Sequence, residues 1–146
     1  MRILNKRANY DYSLQDRIEA GINLYGYEVK AVKNGHADLT GSFVKIQGSE
    51  AYLVNAKIFP YEYASLKDYD QARTRKLLLH KAEITALKGK TDGQNLAIVP
   101  VSMYIKHGFI KVELGLGKGK KKYEKKEAIK RRDLNREIEE ELRGKI

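Results

Sequence analysis

An alternation of apolar and polar residues between Tyr10 and Leu24 constrains the fold of this chain more than any other feature. Seven of the eight even-numbered positions are apolar, the exception being Asp16, whereas the odd-numbered positions are polar, charged or glycine. A period of two residues buries one face of a β-strand and leaves the other in solvent. The run is long for a single strand, and Asp16 and Gly21 are places where it can bend.

More strands and two short helices are predicted downstream. The strands form two hairpins, around Gly48 and Gly108, and cover residues 42–46, 51–58, 96–105 and 109–114. One helix follows Gly26 and ends at Asn34-Gly35, and the other spans about 81–88. Pro100 is expected at an edge or a bulge because it cannot donate to a ladder. Together they predict a mainly β fold with short helices, a small antiparallel OB-like β-barrel.

Charge divides the chain into two parts. Residues 1–117 carry 17 basic and 12 acidic side chains, whereas residues 118–132 carry nine basic and two acidic ones. We therefore predict a barrel over 1–117 and a basic C-terminal tail over 118–146, joined by a flexible glycine-rich link at 115–119. The tail can form a helix, since favourable charge pairs accompany a narrow apolar stripe of Leu134, Ile138 and Leu142.

Residue types argue against an enzyme. The chain has no cysteine, which excludes disulfides and thiolate metal sites. Its histidines, His36, His80 and His107, show neither metal-ligand spacing nor a partnered nucleophile. The glycine-rich segment at 115–120 lacks the spacing of a phosphate-binding loop. We therefore expect no catalytic residue, no metal and no cofactor.

The amino terminus and the longest apolar run predict a cytoplasmic protein. The chain begins Met-Arg-Ile-Leu-Asn-Lys-Arg, without the apolar core of a signal peptide. The longest apolar run, at 96–105, is interrupted by Pro100 and Ser102 and is too short to span a bilayer. We expect a monomer with no membrane partner.

The net charge of +10 favours a polyanion, and four features are candidates for contacting RNA. Two are the basic clusters Asn5-Lys6-Arg7 and Arg73-Thr74-Arg75-Lys76, although ordinary surface charge is the commoner explanation of each alone. The third is Glu19, which can accept hydrogen bonds from base amino groups or can simply be a solvated acid. The fourth is the tail, where lysines can neutralise phosphates and Tyr123 can stack on a base. Tyr61, Tyr63 and Tyr69 form either a stacking platform or packing contacts.

Blocks of sequence in a fixed order resemble the SsrA-binding protein family (small protein B, SmpB). They are Asn5-Lys6-Arg7-Ala8, Asp11-Tyr12, Glu19-Ala20-Gly21-Ile22, Gly26-Tyr27-Glu28-Val29-Lys30, Glu50-Ala51-Tyr52-Leu53, Pro60-Tyr61-Glu62, Arg73-Thr74-Arg75-Lys76-Leu77-Leu78-Leu79-His80, Lys118-Gly119-Lys120-Lys121 and Tyr123-Glu124-Lys125-Lys126. The most specific block is the one that begins at Arg73.

The resemblance implies an RNA-binding adaptor for ribosome rescue in trans-translation. It implies an OB-like barrel that grips the transfer-RNA-like domain of transfer-messenger RNA (tmRNA). The barrel would occupy the vacant small-subunit decoding site of a stalled ribosome, and the tail would enter the empty mRNA channel. The predicted RNA-binding residues are Asn5, Lys6, Arg7, Glu19, Arg73, Arg75, Lys76 and Leu78. The predicted ribosome and tail residues are Lys118, Lys120, Lys121, Tyr123, Glu124, Lys125 and Lys126.

Two departures from the family pattern are visible. The family commonly has Asp-Lys-Arg where this chain has Glu124-Lys125-Lys126, and Lys126 lacks the planar fork of arginine. Asp70 is followed by Gln71 where the family often has proline. Three other functions stay open from the residues alone: a general single-strand binder of the OB type, a ribosomal structural protein, and an enzyme acting on RNA. The last would need an acid–base pair or a metal cluster.

Overall fold

The computed structural model describes residues 2–60, 68–120 and 136. The strands are β1 (Arg2–Leu4), β2 (Tyr12–Ile22), β3 (Ala37–Asp38), β4 (Phe43–Gln47), β5 (Glu50–Val54), β6 (Lys57–Ile58), β7 (Arg75–Leu78), β8 (Ala97–Lys106) and β9 (Phe109–Gly119). The helices are α1 (Ala8–Asp11), α2 (Gly26–Lys33) and α3 (Lys81–Gln94). None of these helices is long and apolar enough to cross a membrane.

Seven strands form one antiparallel sheet in the order β1-β8-β9-β2-β7-β5-β4, and β3 pairs with β6 separately. The predicted fold, mainly antiparallel β with short helices, is confirmed. The sheet curls so that β4 lies near β8, but no ladder joins its end strands β1 and β4 in the part of the chain described. The barrel is therefore open rather than closed.

The predicted first strand is confirmed over most of its length. Its even-numbered positions Ala20 and Ile22 are buried in the core with Leu53, Val112 and Leu114. The register shifts between Leu14 and Asp16, where the sequence predicts a bend. The strand begins only at Tyr12 because residues 8–11 form α1, which periodicity alone did not predict.

The second hairpin also follows its sequence signals. His107 and Gly108 have φ of 51° and 80°, and positive φ at both central residues suits a two-residue turn that matches the strand twist. The ladder between β8 and β9 shifts register between Pro100 and Ser102, so the predicted bulge is confirmed. The helix α3 is longer than predicted and ends at Gln94.

The predicted flexible link at 115–119 is wrong. These residues form the end of β9, and Gly117 pairs with Leu14 while Gly119 pairs with Tyr12. A Cβ at Gly117 would lie 2.1 Å from the backbone oxygen of Ser13. Glycine is required here because two backbones approach closely, not because the chain is loose. The division into a barrel and a tail remains a prediction.

Candidate nucleic-acid interface

Pairing of β8, β9, β2 and β7 brings polar and apolar side chains together on the outside of the sheet. Glu19 pairs with Glu113, and Gly21 pairs with Lys111 on one side and Leu78 on the other. These positions alternate with buried residues such as Ala20, Leu77 and Val112, so they point outward. We call this surface the outer face and define it by Glu19, Gly21, Lys76, Leu78, Tyr104, Lys106, Phe109 and Lys111.

Three of the predicted RNA-binding residues share one groove on the outer face. Glu19, Lys76 and Leu78 line a depression of about 540 Å³ that also includes Lys111 and His80. The Leu78 side chain is 54% exposed. Strand pairing thus joins residues that are nearly 60 positions apart in the sequence. Glu50 and Glu83 also line the groove. Its carboxylates, lysines and exposed apolar side chain are the kinds of group that contact base edges, phosphates and base faces.

Glu19 is held in place by its neighbours. The Tyr104 hydroxyl donates a short hydrogen bond to its carboxylate, and Lys106 Nζ lies 3.4 Å from both carboxylate oxygens. The hydrogen bond from Tyr104 lowers the pKa of Glu19, and Lys106 adds to that effect against the opposing influence of desolvation. Partial burial, with the bond to Glu19, raises the pKa of Tyr104 to about 12. Glu19 is therefore an oriented, ionised acceptor with lone pairs left over.

Lys76 and Lys111 supply positive charge to the groove. Lys76 Nζ lies 3.3 Å from a carboxylate oxygen of Glu50, and both side chains are largely solvated. An exposed ion pair of this kind contributes little and is easily exchanged for another anion. Lys76 can therefore turn toward a phosphate without disturbing the fold, as its prediction requires.

Arg75, by contrast, belongs to the protein interior. Its side chain is fully buried, and its Nε and Nη2 atoms lie 2.8 and 2.7 Å from Glu28 Oε2. Its Nη1 donates to the Ala56 carbonyl at 2.8 Å, and its Nη2 also donates to the Gln71 carbonyl at 3.0 Å. No exposed atom remains to touch RNA, so the prediction that Arg75 binds RNA directly is wrong. This arginine is structural.

Arg73 shares the same acid. Its Nε donates to Glu28 Oε2 at 3.2 Å, its Nη2 makes a short ion pair with Glu28 Oε1, and its guanidinium lies 4.1 Å from the ring centre of Tyr25. Only 23% of the side chain is exposed, so its carbons and guanidinium mainly join α2 to the segment before β7. A direct contact between Arg73 and RNA stays a prediction.

Glu28 is the centre of this buried cluster. Besides both arginines it accepts the Tyr25 backbone N–H at 2.9 Å and the Tyr69 hydroxyl at 3.0 Å. Burial by itself raises the pKa of Glu28, but the hydrogen bonds from Arg73, Tyr25 and Arg75 outweigh it and the net pKa is lowered. Burial and the Glu28 charge also raise the pKa of Tyr69 to about 12. Tyr69 is thus a packing residue, whereas Tyr61 and Tyr63 lie outside the described residues.

The amino-terminal cluster lies at a different place from the groove. Asn5 is buried, and its Nδ2 donates to the Pro100 carbonyl at 2.8 Å. Its Oδ1 is buried without a hydrogen-bond partner among the described residues. Lys6 is exposed, and Arg7 lies 3.4 Å from Asp11 and stacks on the ring of Tyr10. Direct RNA contact by Lys6 and Arg7 stays a prediction and would involve a second surface, whereas the buried Asn5 has little side chain left to reach RNA.

The start of the basic tail meets this second surface. The Lys120 backbone N–H donates to the Asp11 carbonyl at 2.8 Å, and its Nζ donates to the Asn9 carbonyl at 2.6 Å. Lys118 is exposed next to Ser13 on β2. These contacts gather Lys6, Arg7, Lys118 and Lys120 near α1. Lys121, Tyr123, Glu124, Lys125 and Lys126 lie outside the described residues, as do Leu134, Ile138 and Leu142 of the predicted tail helix.

Sequence reasoning missed the outer-face residues that come from β8 and β9. Tyr104, Lys106, Phe109 and Lys111 were not predicted as site residues. The alternation along 109–114 does place Phe109 and Lys111 on one side of their strand. That pattern cannot tell which other strand lies beside them, so no local signal connects them to Glu19. Among the described residues no cluster of His, Cys, Asp and Glu is arranged to hold a metal ion.

Comparison with known proteins shows what the chain is similar to. The family model described as "SmpB protein" matches residues 2–144. An SsrA-binding protein of Geobacillus kaustophilus is 49% identical over 139 residues, which cover 95% of this chain and 90% of that protein. One from a Sulfurihydrogenibium species is 50% identical over 142 residues, covering 97% and 93%. A solved structure described as "tmRNA-SmpB: a journey to the center of the bacterial ribosome" matches with a TM-score of 0.71 and 46% identity, covering 88% of this chain and 94% of the other.

Proposed function

The chain belongs to the SmpB family of SsrA-binding proteins, and we propose that it binds tmRNA and delivers it to stalled ribosomes for trans-translation. Its RNA-binding surface is the groove of the outer face, with Glu19, Lys76 and Leu78 as contacts. The observation that carries this assignment is the meeting of these three residues in one groove. It works as an adaptor in the cytoplasm, without a catalytic step of its own.

Four groups in the groove have distinct parts in recognition. The oriented carboxylate of Glu19 accepts hydrogen bonds from base amino groups, which selects particular bases rather than charge alone. Lys76 and Lys111 approach phosphates and supply the salt-dependent part of the affinity. The exposed side chain of Leu78 covers the apolar face of a base. The groove therefore suits a folded RNA that presents one or a few unstacked nucleotides.

The tail is proposed to act after tmRNA has bound. Lys118 and Lys120, and beyond them Lys121, Tyr123, Glu124, Lys125 and Lys126, enter the vacant mRNA channel of the small subunit. The barrel occupies the decoding site, and the Lys6–Arg7 surface beside Lys120 faces ribosomal RNA or the RNA partner. Basic residues in a channel lined with phosphates replace counterions, so entry is favoured by charge and weakened by salt.

Two carboxylates on the same sheet allow a matched test. Glu113 pairs directly with Glu19 but binds Arg2 and Arg17 at 3.5 and 3.4 Å and does not line the groove. Removing either negative charge from a basic protein should slightly strengthen nonspecific RNA binding. If Glu19 accepts hydrogen bonds from RNA, Glu19→Gln should instead weaken tmRNA binding by about tenfold. Glu113→Gln should leave that affinity unchanged or slightly tighter.

The measurement is the dissociation constant for transcribed tmRNA and for an unrelated single strand, at one stated salt concentration. Equal behaviour of the two variants would remove Glu19 from the interface. Capture of RNA from a cell extract with the full chain, followed by sequencing, tests the function itself. One dominant structured RNA is expected, whereas a broad mixture would favour a general single-strand binder.

The division into two parts is tested by truncation. A chain that ends at Lys120 keeps all of β9 and the contacts of Lys120 with α1. We expect it to retain most of its affinity for tmRNA and to lose activity on stalled ribosomes. The slope of log affinity against log salt should be shallower by roughly 0.7 to 0.9 for each phosphate contact that the tail makes. Loss of tmRNA preference in this shortened chain would place the specific contacts in the tail.

A further inference from the structure

Packing against the described residues does not explain the position of Phe109. It lies at the tip of the β8–β9 hairpin and is 69% exposed, more than any other large apolar residue in the described part of the chain. The exposed Leu78 is its neighbour across a notch of about 240 Å³ that both residues line, together with Gly21, Leu24 and Val29. Two large apolar side chains exposed at one notch beside Lys111 mark a contact site.

Gly21 keeps this notch open. It lies between its partners Lys111 and Leu78 in the sheet, and a Cβ there would come within 3.1 Å of the Leu78 Cβ. Any other residue would push into Leu78 or fill the space. The notch therefore stays open above Gly21, with Leu78 and Phe109 among the residues that line it, and a planar group can enter it.

The charges around the notch identify the planar group. Lys111 lines both the notch and the adjoining Glu19 groove, and Lys106 pairs with Phe109 across the hairpin. A ligand that matches these groups has an aromatic plane, a negative charge beside it and hydrogen-bond donors within reach of Glu19. An unpaired nucleotide of RNA has all three, since stacking on aromatic side chains is a main mode of single-strand recognition.

We propose that Phe109 and Leu78 clamp one unpaired base of the bound RNA across Gly21, with Lys111 against the neighbouring phosphate. The inference rests on the proposed function and adds to it the site where a base is removed from its stack. It also gives the hairpin tip a role, because Phe109 directly follows the two-residue turn of His107 and Gly108.

Substitutions of Phe109 in the full chain test the clamp. Because Phe109 is exposed, Phe109→Ala should leave the circular dichroism spectrum unchanged. It should weaken binding of transcribed tmRNA by about five- to 150-fold, which corresponds to the roughly 1–3 kcal/mol lost with one stacked base. Phe109→Tyr should bind like the wild type, and Phe109→Leu should fall between. Phe59→Ala is the matched control, since Phe59 is an exposed phenylalanine beyond the separate β3–β6 pair.

Two further readings separate stacking from charge. Phe109→Ala should leave the salt slope unchanged, whereas Lys111→Gln should reduce it by about 0.7 to 0.9. Chemical probing of base edges in the complex should show one or two nucleotides that are protected by the wild type and reactive with Phe109→Ala. A uniform loss of protection over the whole RNA would overturn the clamp.

The outcome is separable from that of the proposed function. If the wild type prefers tmRNA and Phe109→Ala binds it within twofold, the clamp is refuted and the function stands. If the wild type shows no preference for tmRNA, the function fails, and a single-stranded oligonucleotide with one 2-aminopurine still tests stacking. Quenching by the wild type but not by Phe109→Ala would support the clamp, and equal fluorescence would refute it. Unchanged tmRNA binding with lost ribosome binding would assign the tip to the ribosome and overturn the proposal.

Discussion

Replacement of Glu28 by glutamine should destabilise this protein far more than replacement of Glu83. Both acids occupy the third position of a helix and accept the backbone N–H of the capping residue, at 2.9 Å for Glu28 and 3.0 Å for Glu83. Glutamine retains an oxygen for this capping bond. The two substitutions therefore differ mainly in what else the carboxylate binds.

The magnitude follows from the surroundings of Glu28. Its carboxylate is fully buried and accepts hydrogen bonds from Arg73, Arg75 and Tyr69. Glutamine removes the negative charge, leaves Arg75 as a buried cation without a counter-ion, and turns an amide donor toward other donors. Breaking a buried pair in this way costs about 3–5 kcal/mol. Glu83 has neither arginine nor full burial, and its substitution should cost less than about 1 kcal/mol.

Urea unfolding at pH 7, followed by far-ultraviolet circular dichroism because the chain has no tryptophan, measures both variants. The expected result is a midpoint for Glu28→Gln well below that of the wild type, while that of Glu83→Gln stays close to it. A difference between the two variants below about 1 kcal/mol would refute the argument that the buried arginine depends on Glu28. It would mean that solvent or nearby carbonyls compensate Arg75.

Two other predictions follow from the same structure. The pKa of Glu28 is lowered in the fold, so the stability that its ionised carboxylate contributes is complete above the unfolded pKa of about 4.3 and is lost as pH falls through the folded pKa. The unfolding free energies of wild type and Glu28→Gln should therefore converge below about pH 4. A constant difference between them down to pH 2 would contradict the lowered pKa. Gly117→Ala should unfold the end of β9 or cost about 3 kcal/mol or more, because its Cβ would meet the Ser13 backbone. Gly119→Ala, whose Cβ would meet nothing within 4 Å among the described residues, should be nearly neutral in the same urea titration.

The sequence correctly predicted those strands, turns and bulges that depend on residues close together in the chain. The alternation before Leu24, the glycine turns of both hairpins and the bulge at Pro100 all depend on residues a few positions apart, and the structure confirms them. The polar face of the first strand also placed Glu19 outward correctly. The basic cluster at 73–76 indicated Lys76 and the family resemblance added Leu78, and the structure puts both in the same groove as Glu19.

What the sequence could not determine was which distant residue meets which. Arg75 and Lys76 are adjacent basic residues of similar appearance, yet one is buried on Glu28 and the other is exposed in the groove. The difference arises because neighbours in a strand face opposite sides, and because the counter-ion of Arg75 comes from a helix 47 residues earlier. Charge type alone suggests surface for both.

The same limit applies to the glycines of β9 and to the clamp. Read locally, glycine-rich residues 115–119 favour a flexible link, whereas close approach of the Ser13 backbone makes them an ordered strand. Phe109 becomes a candidate for base stacking only because β9, β2 and β7 pair side by side and place Leu78 across Gly21. Sequence by itself determined the fold class, the strand faces and the basic end of the chain. Tertiary structure alone decided which side chains share a surface, because the pattern of apolar and polar residues in one strand does not show which distant strand pairs with it.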